Sequence, residues 1–208
     1  MIRELSHPLV KSLVNRLRDS SCDALLFRHY VGELSRMLCY EAFADASLTE
    51  REMATWQGRA SYGVVDGETL LFVPVMRAGM PMLDALMGLF PEAAAGFLAM
   101  RRDETTHEAV LYYDRVPECR GKTVVLLDPM VATGGSLVDA VTAIKAKGPA
   151  RIVSLNIIGS PEGLERVEEL HPDIALYIAQ VDGRLDAEKF IHPGLGDAGD
   201  RAYNTPES

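Results

Sequence analysis

The chain has 208 residues, 48% apolar and 25% charged, proportions that exclude global disorder, collagen and a coiled coil and suit a domain with a well-buried core. Lysine and arginine number 21 against 30 aspartates and glutamates, a formal charge of -9 that argues against a general nucleic-acid-binding surface, so an anionic ligand would need a local positive field. No apolar run approaches the roughly 20 residues of a membrane-spanning helix, no apolar signal core follows Met1-Ile2-Arg3-Glu4-Leu5, and three scattered cysteines argue against a disulfide scaffold or a Cys-based zinc site, so a cytoplasmic location is expected.

The N-terminal third reads as helical, with Phe27, Tyr30, Val31, Leu34, Met37 and Leu38 at helical spacing. The stretch 48–67, which holds the lone Trp56, reads as connecting structure with at most a short strand. Leu70 to Val75 is a short apolar run that predicts a buried strand. A short helix is expected from Pro81 to Leu89, with the proline in its first turn. Phe97 to Met100 and Ala109 to Tyr113 are candidate strands, and the polar stretch Arg101 to Glu108 between them reads as a hairpin or flap. Thr123 to Leu127 predicts another strand, and Leu137 to Lys147 a helix ending at Gly148. Ile152 to Ile158 follows as a strand. Pro161 to His171 is then a helix capped by Ser160 and stopped by Pro172. After a strand from Ile174 to Val181, the Gly-, Asp- and Pro-rich remainder from Asp182 reads as a long ordered loop. Strands alternating with helices imply an α/β fold, a mostly parallel sheet covered on both faces, in one domain spanning 1–208.

The segment Val124-Val125-Leu126-Leu127-Asp128-Pro129-Met130-Val131-Ala132-Thr133-Gly134-Gly135-Ser136 carries the most chemistry. It is a buried strand, an acid at its C-terminal end, a small-residue loop and then a helix. That arrangement aims consecutive amides and a helix dipole at one point, where an anion is favoured. Gly134 and Gly135 are expected to let the main chain approach a phosphate with no Cβ in the way, Thr133 and Ser136 to add hydroxyl donors, and Asp128 to hold sugar hydroxyls. A plain strand-to-helix turn capped by Ser136 would use the same residues. The loop lacks the Gly-Lys-Ser/Thr of ATPases and GTPases. Gly194-Leu195-Gly196-Asp197-Ala198-Gly199 matches G-x-G-x-x-G, but Pro193 stands where a strand should end and nine residues follow, so a dinucleotide fold is not expected. The five histidines show no metal-ligand spacing, and His171 falls at a helix end.

The segment 128–136 resembles the 5-phosphoribosyl-diphosphate motif of type I phosphoribosyltransferases, in the variant with Asp128-Pro129-Met130 ahead of Ala132-Thr133-Gly134-Gly135-Ser136 that is associated with the uracil phosphoribosyltransferases. Three further segments resemble that family, in order along nearly the whole chain. His7-Pro8-Leu9-Val10-Lys11, with Leu17-Arg18-Asp19, Phe27-Arg28 and Tyr40-Glu41-Ala42, is similar to its N-terminal region. Val73-Pro74-Val75-Met76-Arg77-Ala78-Gly79 is similar to its diphosphate loop, and Pro193 to Arg201 to its base-binding loop.

The resemblance implies the type I phosphoribosyltransferase fold, with an N-terminal helical extension and a β-hairpin flap. It implies transfer of phosphoribose from 5-phospho-α-D-ribose 1-diphosphate (PRPP) to uracil, giving UMP and diphosphate in pyrimidine salvage. Arg77 and Arg102 would then meet the diphosphate, and Asp128 with Pro129, Met130, Val131, Ala132, Thr133, Gly134, Gly135 and Ser136 would hold the phosphoribosyl group. Ile191, Gly196 and Ala198 would contact uracil, with Asp197 between base and sugar. Mg²⁺ would arrive mainly on the diphosphate, with no protein metal site. The implied partners are these small molecules and copies of the same chain, as a dimer or tetramer, with no nucleic acid and no membrane. The sequence departs from the family at His192, where an aliphatic residue is usual, and at Arg101 and Phe190, where tyrosine is expected. Two alternatives stay open: transfer to another base, and a non-catalytic nucleotide-sensing regulator of the same fold.

Overall fold

The computed structural model describes residues 1–102 and 109–205, without the side chains of 101, 102, 109 and 110. The chain opens with strand β1 (Ile2–Glu4), helix α1 (Pro8–Arg18) and helix α2 (Ala24–Ala42). Pro8 starts α1, and the His7 ring nitrogen Nδ1 accepts from the Leu9 amide at 3.2 Å. Asp23 caps α2 through the Leu26 amide at 2.9 Å. An antiparallel hairpin, β2 (Thr49–Thr55) and β3 (Gly58–Val64), projects next. Then come β4 (Leu70–Met76), α3 (Met80–Met87), β5 (Ala94–Ala95), β6 (Leu98–Arg102) and β7 (Ala109–Asp114). The second half contains β8 (Thr123–Leu127), β9 (Met130–Val131), α4 (Gly135–Lys145), β10 (Arg151–Gly159), α5 (Pro161–Leu170) and β11 (Ala175–Val181). It closes with β12 (Arg184–Leu185), β13 (Ile191–His192) and α6 (Ala198–Tyr203).

Among the described residues the main sheet runs β1-β11-β10-β8-β4-β6-β7, with β5 beside β4 and β9 beside β10. Its pairs are parallel except β6 with β7. Alternate residues of the central strands face opposite layers. Leu70 and Phe72 of β4 pack with Val125, Leu127, Val153 and Leu155 against Leu17, Phe27, Leu34, Met82 and Leu86 of α1, α2 and α3. Leu71 and Val73 pack with Val124, Leu126 and Ile152 against Leu137, Val141, Ile144, Leu164 and Val167 of α4 and α5. Both faces of the sheet are therefore covered, which is why these strands are mostly apolar, with no regular alternation of polar residues.

Strands β4 and β8 are neighbours, but the chain leaves them in opposite directions. From β4 it crosses by α3 to β6, and from β8 by α4 to β10 on the other side. Ligands of open α/β sheets settle at such a reversal, beyond the C-terminal ends of the strands.

Four sequence expectations need correction. The stretch 48–67 holds a seven-residue-per-strand hairpin whose residues are almost all exposed, so neither face carries an apolar stripe for the sequence to show. Strand β1 went unread because three residues, two of them charged, have no period; they pair with Leu176, Tyr177 and Ile178 of β11. Helix α4 starts at Gly135, so Ser136 lies in its first turn and is not the cap, and the helix ends at Lys145, with Gly148 (φ 67°) closing a further turn beyond it. The stretch from Asp182 is not loop throughout, since β12 pairs with β13 and Asp197 caps α6 through the Asp200 amide at 2.8 Å. The expected flap strands do pair, Leu98 with Asp114 through Arg102 with Ala109, while the flap tip 103–108 lies outside the described residues.

Candidate active site

The turn after β4 is pressed against the end of β8. A Cβ on Gly79 would sit 2.2 Å from the Leu127 carbonyl and 3.0 Å from the Val75 backbone, so only glycine lets the turn lie this close. The Met76–Arg77 peptide in the same turn is cis. Arg77 emerges there with its side chain 55% exposed. Its guanidinium donates to the Asp200 carboxylate at 2.8 Å and to the Thr205 hydroxyl at 3.1 Å. The Thr205 hydroxyl and this guanidinium hold the Asp200 carboxyl below the usual carboxylate range.

Asp128 ends the neighbouring strand. Its carbonyl accepts from the buried Asn156 amide at 2.7 Å, and Asn156 in turn accepts from Ser154 at 2.8 Å. This polar pair under the turn was not found from sequence, where Ser154 and Asn156 look like interruptions in an apolar strand. The Asp128 carboxyl is buried, and desolvation pushes its pKa from 3.8 up to about 7, opposed by the Met130 amide at 3.4 Å.

The loop that follows is cast against β10 and α5. The Pro129 carbonyl accepts from the amides of Ile157 and Ile158, each at 3.0 Å, and Met130 and Val131 pair with Ile158 and Gly159. Thr133 and Ser136 are half-buried. Gly134 has φ 76°, and a Cβ there would lie 2.5 Å from the Gly163 carbonyl. Protein already occupies the space a Cβ would need at Gly134, a steric reason for glycine that the sequence did not show. The amides of Gly135, Ser136 and Leu137 belong to the first turn of α4 and have no intrahelical acceptor. They and the loop amides form the anion-seeking end of this turn.

The C-terminal segment is held in place by arginines of the N-terminal helices. Arg18 grips both carboxylate oxygens of Asp182, at 2.8 and 2.5 Å, and the Gly194 carbonyl at 2.7 Å. Arg28 donates to the Ala202 carbonyl at 2.5 Å. Arg201 returns the grip: it donates to the carbonyls of Leu17, Asp19, Cys22 and Leu195, and lies 4.5 Å over the Phe27 ring. Sequence reading tied Arg18 and Arg28 to a family segment but gave them no role, because their partners lie more than 160 positions away.

Within that segment the Ile191 and Ala198 side chains are buried, which leaves main chain for a ligand to meet. Gly194 is forced, since a Cβ would fall 2.0 Å from the Ile191 carbonyl. Gly196 (φ 73°) and Asp197 are exposed. A Cβ on Gly199 would lie 3.2 Å from an Asp197 oxygen and 3.6 Å from the Arg77 guanidinium, so Arg77, Asp197 and Asp200 gather around this glycine. Two of the departing residues, His192 and Phe190, are exposed. The backbone of Arg102 ends β6, next to β4 at the same sheet edge, and its side chain lies outside the described residues, as does that of Arg101. Three separate turns therefore meet at the reversal between β4 and β8: those carrying Arg77, Asp128 to Ser136, and Asp197.

A family model described as uracil phosphoribosyltransferase matches residues 4–205. A uracil phosphoribosyltransferase of Aquifex aeolicus is 44% identical over 205 residues, 98% of each chain. One from Clostridium botulinum (strain Eklund 17B) is 39% identical over 203 residues, 97% of each. The solved structure of the AQ2163 protein of Aquifex aeolicus superposes with a TM-score of 0.94 at 44% identity, covering 98% of both chains. The hypoxanthine phosphoribosyltransferase of Trypanosoma cruzi shares the fold alone, with a TM-score of 0.51 at 15% identity over 78% of this chain and 76% of its own.

Proposed function

The chain belongs to the uracil phosphoribosyltransferase family, and from that premise we propose that it transfers phosphoribose from PRPP to uracil, releasing diphosphate and UMP, as a single phosphoribosyltransferase domain in pyrimidine salvage. The observation that carries the assignment of residues is the convergence of three turns at one sheet reversal, with Gly79 against Leu127 joining the first two and Arg77 to Asp200 joining the third.

The amides from Ala132 to Ser136 grip the 5′-phosphate, with the hydroxyls of Thr133 and Ser136. Asp128 accepts from the ribose hydroxyls in its ionised form. Arg77 keeps further N–H groups beyond those given to Asp200 and Thr205, and these, with Arg102, meet the departing diphosphate. Main chain around Ile191, Gly196 and Ala198 reads the alternating donors and acceptors of the uracil edge, and Asp197 lies between base and sugar. As C1′ develops oxocarbenium character, the protein's work is to position the two reactants and to stabilise negative charge on the leaving group. No nucleophile is required.

Among the described residues no group of three or more His, Cys, Asp or Glu side chains could hold a metal ion, and Asp128 is the sole carboxylate of the segment 128–136. This set fits an ion that takes most of its oxygens from diphosphate and water. Mg²⁺ held in that way would offset leaving-group charge. Among the described residues no helix is long and apolar enough to cross a membrane. The three cysteines are free, as suits the reducing cytoplasm in which we place the chain. The projecting β2–β3 hairpin, with Trp56 92% exposed at its tip, supports assembly with further copies of the chain as a dimer or tetramer.

The test is diphosphate release from PRPP and Mg²⁺ with uracil, hypoxanthine, adenine and orotate in parallel. Turnover with uracil alone is expected. Turnover with another base in its place would overturn the assignment.

A further inference from the structure

The phosphate loop does not hold its own shape. Its carbonyls are turned away by a residue from a different βα connection. Ser160 is fully buried between β10 and α5. Its backbone amide donates to the Val131 carbonyl at 3.0 Å, and its hydroxyl donates to the Ala132 carbonyl at 2.6 Å. The same hydroxyl oxygen accepts from the Gly163 amide at 2.9 Å, so its single proton is committed to Ala132.

A trans peptide is planar, with its C=O and N–H pointing opposite ways. Holding the Val131 and Ala132 carbonyls towards α5 therefore turns the amides of Ala132 and Thr133 away from α5. Glycine spacing gives independent evidence of the same orientation. A Cβ on Gly163 would lie 2.1 Å from the Ala132 oxygen and 3.0 Å from the Val131 oxygen, so both carbonyls point into the first turn of α5. Two successive amides facing one way form a concavity for an anion. If the Ala132 peptide flipped, a carbonyl dipole would meet that anion instead.

We propose that Ser160 is a positioning residue for the 5′-phosphate, locking two consecutive peptide planes of the loop so that their amides face the ligand. This deepens the reading of residues 132–136 as the monophosphate grip and rests on it. Ser160 touches no substrate and acts through Ala132.

The test measures dissociation constants of UMP, uridine and diphosphate by calorimetry for the wild type and for Ser160→Ala, Ser160→Thr and Ser160→Cys, with melting temperatures alongside. Ser160→Ala is expected to weaken UMP about tenfold, or 1.4 kcal/mol, while uridine and diphosphate change less than twofold. Threonine, which keeps donor and acceptor, should restore UMP binding. Should Ser160→Ala fail to fold, cysteine, a weaker donor, carries the test with an intermediate loss confined to UMP. An unchanged preference for UMP over uridine in Ser160→Ala, or equal weakening of all three ligands, overturns the proposal. A wild type that binds uridine as tightly as UMP refutes the phosphate grip itself, an outcome visible before any variant is made.

Discussion

Replacing Asp128 by asparagine should make the protein more stable and less active, and the gain should depend on pH in a way set by burial. The carboxyl is buried and its pKa rises from 3.8 to about 7, chiefly through desolvation. In the unfolded chain the same group ionises near 3.8. Between these values the folded state holds a proton that the unfolded state has released, so stability falls as pH rises through the window. Above pH 7 the folded protein carries the full cost of an ionised buried carboxylate, about 4 kcal/mol at 1.36 kcal/mol per pKa unit. Asparagine has no such cost. Urea unfolding of wild type and Asp128→Asn should show little difference near pH 4 and a gap opening to a few kcal/mol by pH 8. Donor affinity should move the other way, falling in the variant and, in the wild type, falling as pH drops below about 7. A stability difference that stays level from pH 4 to 8 would refute the account of the site as a buried carboxylate maintained for binding.

Gly134→Val should destabilise the protein as well as abolish UMP binding, because it adds a Cβ 2.5 Å from the Gly163 carbonyl at φ 76°. A loss of at least about 2 kcal/mol is expected in urea, and a fully stable variant would contradict the interlock of the two loops. Arg201→Ala removes hydrogen bonds to four carbonyls and the contact over Phe27, so a loss of about 3 kcal/mol and a raised KM for uracil are expected. Lysine at the same position should not rescue it, since a point charge cannot span those acceptors. Arg102→Ala should lower kcat by about 100-fold while leaving UMP affinity unchanged. An unaltered turnover rate would remove the end of β6 from the site.

The layered sheet was legible in the chain because burial on both faces makes each central strand mostly apolar. Leu70 to Val75, Val124 to Leu127 and, despite Ser154 and Asn156, Ile152 to Ile158 are short apolar segments of strand length. The acid and small residues from Asp128 to Ser136 were legible for a related reason: a strand end, a turn and a helix start leave local marks. The helix caps at Ser160 and Pro161 were equally local.

What tertiary structure alone decided is how distant pieces answer one another. No period marks β1, which becomes a strand only beside β11, or the β2–β3 hairpin, which buries neither face. The steric reason for Gly134 emerges only when Gly163 is found across from it. Arg18, Arg28 and Arg201 have no partners in the sequence to give them a role until the fold brings the two ends of the chain together and gives them carbonyls and Asp182 to hold. The raised pKa of Asp128 and the turned carbonyls of Val131 and Ala132 belong to the same class. Local pattern records what each residue does to its own backbone and its exposure, whereas desolvation and long-range hydrogen bonding depend on neighbours that the order of residues does not list.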